Sequence, residues 1–223
     1  MIQTSLIHTD IDAALLAKLA ACLSVPEMNR ADRFHQHQDR KNYIVAHAAL
    51  RLLLAKQLNL PHHDLQFTKG RWGKPMLAQG GNTPLHFNLS HSGNMVLIAI
   101  ATQPVGIDIE FTRPLDYTRL AGHCFAAEEA LRIVDSHSFF EHWTAKEAVI
   151  KASGRGWSEK TQQFIVPAPS IDLQPIRLLQ PNPSLEGLHV ARLTVGKGYY
   201  AALSAAPTSL PVQLNKFAPA ELI

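Results

Sequence analysis

Residues 95–111 carry two β-signals of different kinds, placed end to end, and they constrain the fold more than any other stretch. Met95-Val96-Leu97-Ile98-Ala99-Ile100-Ala101 is the longest purely apolar run in the chain. It is far shorter than the ~20 residues a membrane helix needs, so it reads as a buried strand. After a three-residue gap, Val105-Gly106-Ile107-Asp108-Ile109-Glu110-Phe111 alternates strictly. Val105, Ile107, Ile109 and Phe111 share one face of this strand, and Gly106, Asp108 and Glu110 share the other.

Helical signals flank this pair. Asp39 is placed to cap a helix over residues 39–58, rich in Ala and Leu and ended by Asn59-Leu60-Pro61. A second helix is expected over residues 139–153, stopped by Gly154 and Gly156. Residues 85–90 alternate as a strand broken at His91-Ser92-Gly93, and further strand-like segments lie near 164–166, 188–195 and 199–204. Helices with antiparallel-looking strand pairs in both halves predict an α+β fold. At 223 residues the chain suits one large domain or two small, tightly joined ones.

Composition removes several function classes. With 46% hydrophobic and 17% charged residues the chain is globular rather than disordered. Its net charge of +3 is too small to argue for nucleic acid. The first ten residues lack a basic stretch followed by an apolar one, so no signal peptide is expected and the reading is cytoplasmic. Cys22 and Cys124 alone make neither a disulfide framework nor a zinc site. Charge is nonetheless unevenly placed. Residues 30–74 hold nine basic and three acidic side chains, whereas residues 105–147 hold four basic and eight acidic ones. That asymmetry fits a site with a polyanion on one side and a cation on the other.

Asp108 and Glu110 share a strand face with Cα atoms ~6.6 Å apart, and two such carboxylates repel unless water or a cation neutralises them. All-oxygen ligands of this kind suit Mg²⁺. On the second helix Trp143, Glu147 and Lys151 recur at i, i+4, i+8, with Lys146 and Ile150 on the same side. Ala145, Ala148, Val149 and Ala152 make the opposite, small face, able to pack closely. Ser90, His91 and Ser92 offer two hydroxyls and an imidazole beside a strand end, a plausible phosphate cradle. On the first helix Arg40, Ile44, His47 and Arg51 fall on one stripe that can touch a phosphate or lie solvated.

Taken in order, Gly73-Lys74-Pro75, Phe87-Asn88-Leu89-Ser90-His91-Ser92, Val105-Gly106-Ile107-Asp108-Ile109-Glu110 and Trp143-Thr144-Ala145-Lys146-Glu147-Ala148-Val149-Ile150-Lys151, followed by Ala152-Ser153-Gly154-Arg155-Gly156, resemble the Sfp-type 4′-phosphopantetheinyl transferases. The resemblance spans residues 73–156. Trp157 departs from it, standing where Leu is commoner.

The resemblance implies transfer of the 4′-phosphopantetheine arm of coenzyme A onto a serine of an apo acyl or peptidyl carrier protein, releasing adenosine 3′,5′-bisphosphate. It implies two similar α+β subdomains related by a pseudo-twofold, residues 1–104 and 105–223, with the site in the cleft between them. It implies a monomer, while the small net charge and the short apolar run argue for no nucleic-acid or membrane partner. Asp108, Glu110 and Glu147 resemble the Mg²⁺ ligands, with Mn²⁺ as an alternative metal. Glu147 resembles the general base and Lys151 the stabiliser of phosphate charge, assisted by Lys146. Lys74, Pro75, Ser90 and His91 resemble coenzyme A contacts, and Arg30, Arg40 and Arg51 are expected at its 3′-phosphate. Residues 112–135, with Leu115, Leu120 and Phe125, occupy the region where the family meets its carrier. Two rivals share these residues: a non-catalytic carrier-binding homologue, and a Mg²⁺-dependent phosphodiesterase or nucleotidyl enzyme.

Overall fold

The computed structural model describes residues 2–78, 84–156, 159–207 and 212–222; Trp157 lies outside them. The first half runs β1 (Ile2–His8), α1 (Ala13–Ala20), α2 (Val25–Ala31), α3 (His37–Leu58), then the hairpins β2 (Phe67–Lys69)–β3 (Pro75–Leu77) and β4 (His86–Ser92)–β5 (Met95–Ala101). The second half runs β6 (Val105–Phe111), α4 (Tyr117–Cys124), α5 (Ala127–Ala130), α6 (Ser136–Ser153), β7 (Phe164–Ile165), β8 (Gln174–Pro175), β9 (Arg177–Leu178), β10 (His189–Arg192) and β11 (Tyr199–Ala205). The tail adds β12 (Gln213–Phe217).

Each half makes a four-stranded sheet, ordered β12-β1-β5-β4 and β6-β11-β10-β8. The same path is used twice. A strand (β1 or β6) leads to a long helix (α3 or α6) and then to an antiparallel pair whose later strand inserts beside the first. The expected α+β architecture with antiparallel sheets is therefore what forms, and its internal repeat lives in chain path rather than in sequence. β12 is parallel to β1, so the tail closes the first sheet and not the second.

The apolar run of β5 is unbroken because both its faces are covered. Val96, Ile98 and Ile100 pack with α3, where Ile44, Val45, Ala48, Ala49, Leu53 and Leu54 are buried. Met95, Leu97 and Ala99 pack instead with Val105, Ile107, Ile109 and Leu203 of the second sheet. The other face of β6 carries α6. A Cβ added at Gly106 would lie 2.0 Å from the Ala148 carbonyl oxygen and 2.3 Å from the Ala152 amide nitrogen, so the small helix face seats directly on the strand.

Boundaries moved in three places. α3 begins at His37, two residues before Asp39, and α6 begins at Ser136 because Asp135 caps it, accepting the Ser138 N–H at 2.7 Å. β4 continues through His91 and Ser92, which face Val96 and Met95, and the break falls at Gly93, held at φ 59°. No helix among the described residues is long and apolar enough to cross a membrane.

Candidate active site

The two sheets meet along β4 and β6 without a backbone ladder; alternate side chains of β4 do the joining. The Asn88 Oδ1 accepts the Ile107 N–H at 2.8 Å. The Ser90 hydroxyl donates to Asp108 Oδ1 at 2.8 Å. The Ser92 hydroxyl accepts the Phe111 N–H at 3.0 Å and donates to Glu110 Oε2 at 3.2 Å.

Asp108, Glu110, Glu147 and Lys151 interact electrostatically around this seam. Asp108 is 3% exposed. Its Oδ1 also accepts the Lys151 ammonium at 2.6 Å, and the same ammonium donates to Ser90 Oγ at 3.0 Å. Burial holds the Asp108 carboxyl above the usual range, opposed by Lys151 and Ser90. Burial, then the neighbouring Asp108 charge, pushes the Glu147 carboxyl up to about 7, with Lys151 opposing and Glu110 adding to the rise. Glu110 lies nearer the surface and pairs with Arg113 at 2.8 Å.

Two carboxylate oxygens here are buried without a hydrogen-bond partner among the described residues, Asp108 Oδ2 and Glu147 Oε1. Orphaned, mutually repelling carboxylate oxygens fit a hard divalent cation, which would supply the missing partner and the opposite charge. Among the described residues, however, no group of three His, Cys, Asp or Glu side chains is drawn together as a ligand shell. Lys151 and Arg113 stand in as counter-ions to Asp108 and Glu110.

The residues assigned to coenzyme A separate into two groups. Ser90, His91 and Lys151 stand at the seam. Burial against the site wall, then His47 and Lys151, hold the His91 pKa below its ordinary value, with Asp39 and Glu110 opposing. Lys74, at the turn of the β2–β3 hairpin, donates to the carbonyls of Val105 at 2.8 Å and Lys151 at 2.5 Å. Two of its three protons are thus spent joining the halves, and burial with repulsion from Lys151 lowers its pKa to about 8. Pro75 is exposed beside it.

Arg51 and Lys146 require correction. Arg51 is 3% exposed, donating to Glu27 Oε2 at 2.7 Å and to the carbonyls of His62 and Leu65 at 2.8 and 3.1 Å. It braces α3; of the stripe it shares, Ile44 is buried as well, whereas Arg40 and His47 are half-buried. Lys146 is fully buried, pairing with Glu129 at 2.7 Å and donating to the Thr161 carbonyl at 2.7 Å and to that of Phe164. A guanidinium and an ammonium consumed in this way cannot also contact coenzyme A. Arg40 is paired with Asp32 at 2.9 Å, and Arg30 lies over the Phe34 ring at 5.6 Å. In the expected carrier region Phe125 is core, whereas Leu120, Leu131 and Val134 are exposed.

Sequence reasoning missed the fasteners. Asn88 enters the sequence reading only as part of a motif and Ser92 as part of a phosphate cradle, yet both stitch the halves. Asn42 donates to the Gly93 carbonyl at 2.9 Å, and the Tyr199 hydroxyl bonds the Asn94 side chain at 2.7 Å from the opposite half. The available signal was the two-residue spacing of Ser90 and Ser92, which matches that of Asp108 and Glu110.

A seam between two like-built α+β halves thus brings the buried Asp108 and Glu147 carboxyls beside the Lys151 ammonium, an arrangement able to handle phosphate charge. Residues 12–103 match the family model described as 4′-phosphopantetheinyl transferase, N-terminal, and residues 104–203 match the 4′-phosphopantetheinyl transferase superfamily. The chain is 37% identical over 162 residues to the putative 4′-phosphopantetheinyl transferase slr0495 of Synechocystis, covering 69% of this chain and 66% of that protein. It is 36% identical over 159 residues to HetI of Nostoc, covering 67% of each. It is 28% identical over 207 residues to Sfp of Bacillus subtilis, covering 90% of each. The chain belongs to the 4′-phosphopantetheinyl transferase superfamily and is of the Sfp type.

Proposed function

We propose that this chain moves the 4′-phosphopantetheine arm of coenzyme A onto a serine of an apo acyl or peptidyl carrier protein, as a cytoplasmic monomer of two subdomains joined near residue 104. Its partners are coenzyme A and a carrier protein, with no role for nucleic acid or membrane. The carrying observation is the pair of partnerless buried oxygens on Asp108 and Glu147 beside the Lys151 ammonium. Asp108, Glu110 and Glu147 would hold Mg²⁺, or Mn²⁺ in its place. When bound, the cation would neutralise the pyrophosphate of coenzyme A and polarise the phosphorus under attack.

The carrier serine oxygen forms the new bond to the phosphorus bearing the pantetheine arm. The bond from that phosphorus to the bridging oxygen breaks, and adenosine 3′,5′-bisphosphate leaves with the electron pair. The serine proton passes to Glu147, directly or through one water. In the metal-free chain this carboxyl sits at about 7, and a bound cation would lower it, so its position beside the seam rather than that value carries the role. Lys151, turned toward the same seam, offsets charge on the phosphate, while Ser90, His91 and Lys74 line the coenzyme A side. Positioning and charge neutralisation suffice, with no covalent nucleophile on the protein. The exposed Leu120, Leu131 and Val134 support carrier docking along residues 112–135.

Incubation with coenzyme A, Mg²⁺ and a panel of apo carriers tests this reading by intact mass. One phosphopantetheine arm is expected on a carrier serine. Hydrolysis of coenzyme A without carrier modification would overturn it in favour of a phosphodiesterase.

A further inference from the structure

Ser90 and Ser92 stand two residues apart on β4, and Asp108 and Glu110 stand two apart on β6. The strands run side by side in the same sense, so each serine meets one carboxylate. The bonding is the same twice over. Ser90 and Lys151 both hold Oδ1 of Asp108, at 2.8 and 2.6 Å. Ser92 and Arg113 both hold Oε2 of Glu110, at 3.2 and 2.8 Å. In each case the other oxygen is left over. Asp108 Oδ2 is buried with no partner, and among the described residues Glu110 Oε1 receives no hydrogen bond.

Proton counting fixes which way the hydroxyls point. A serine has one proton to give. Ser92 Oγ already accepts the Phe111 N–H at 3.0 Å, so its proton goes to Glu110. Ser90 Oγ accepts from Lys151 at 3.0 Å, so its proton goes to Asp108.

We propose that Ser92, together with Arg113, is a positioning residue for Glu110, gripping Oε2 so that Oε1 is presented to a divalent cation, as Ser90 and Lys151 present Oδ2 of Asp108. The inference rests on the reading of these carboxylates as cation ligands. Partners that hold a ligating carboxylate commonly matter 10–100-fold in metal affinity. The rival role for Arg113, competition with the cation for Glu110, has the opposite sign.

The test is Mn²⁺ affinity of the full chain, read by electron paramagnetic resonance with coenzyme A present. Ser92→Ala is expected to weaken Mn²⁺ binding about tenfold, Ser92→Thr to restore it, and Arg113→Met to weaken it. Arg113 is largely exposed, so its variant keeps the test alive should Ser92→Ala fold poorly. Equal affinity in Ser92→Ala and the parent, or tighter binding in Arg113→Met, would overturn the clamp while leaving the carboxylate reading intact. Absence of Mn²⁺ binding in the parent would overturn both.

Discussion

Gly106 lies directly beneath Ala148: a methyl group at position 106 would come within 2.0 Å of the Ala148 carbonyl oxygen. The obstacle is helix backbone, which cannot swing aside as a side chain would. Gly106→Ala is expected to cost about 2 kcal/mol or more, the upper part of the usual range for overpacking. Urea unfolding measures this. Transferase activity should fall too, because α6 carries Glu147 and Lys151; an unchanged midpoint would show that helix and strand are not in this contact.

Glu147→Gln keeps the shape of the side chain and removes the base. The rate of carrier modification at saturating coenzyme A is expected to drop by about 10²–10⁴, with the variant still folded by circular dichroism. A rate within threefold of the parent would take the proton-accepting role away from Glu147.

The same residue has a stability signature in metal-free protein. Its folded pKa of about 7 exceeds the ordinary value of 4.5, so the folded chain holds more protons between those pH values. The stabilisation is fully present below pH 4.5 and is lost as pH rises through 7, by about 3 kcal/mol from this group alone. Urea midpoints in EDTA should decline over that window in the parent and decline less in Glu147→Gln. Parallel curves for the two proteins would contradict the raised value.

Glu27 has the opposite sign. Burial alone would raise its carboxyl, but bonds from His47, Ser24 and Arg51 outweigh that and bring it down to about 2. Its contribution is present above pH 4.5 and disappears as pH falls toward 2, again about 3 kcal/mol. Acid unfolding of Glu27→Gln should therefore be shallower over that range than that of the parent.

Lys146→Met would leave Glu129 buried and unpaired, which commonly costs 3–5 kcal/mol. The companion Lys146→Met/Glu129→Gln variant should recover part of the loss. Calorimetry on the folded fraction is expected to find coenzyme A affinity close to that of the parent. A tenfold loss there would return Lys146 to the binding site.

Much of the fold was legible because its signals are local. The alternation of residues 105–111 and the small face at Ala148, Val149 and Ala152 both describe what touches what across one strand and one helix. The apolar run at 95–101 also announced burial, though only the structure shows that two different partners produce it. Arg51 and Lys146 misled because charge on a helix stripe says nothing about what lies opposite, and here that is Glu27 and Glu129. Both acids belong to short helical segments distant in sequence. The β12 strand was invisible for a related reason: its five residues gain strand character from pairing with β1.

That pairing joins β1 to residues more than 200 positions later in the chain. Asn215 also donates to the Thr4 carbonyl at 3.3 Å, and the final helical turn rests near α3. Proteolytic trimming after residue 207 would strip the outer strand and leave the amides and carbonyls of β1 open to any passing β-segment, which is how exposed edges seed aggregation. For anyone producing this enzyme, keeping β12 guards solubility, although that strand lies in the half of the sequence remote from the sheet it protects.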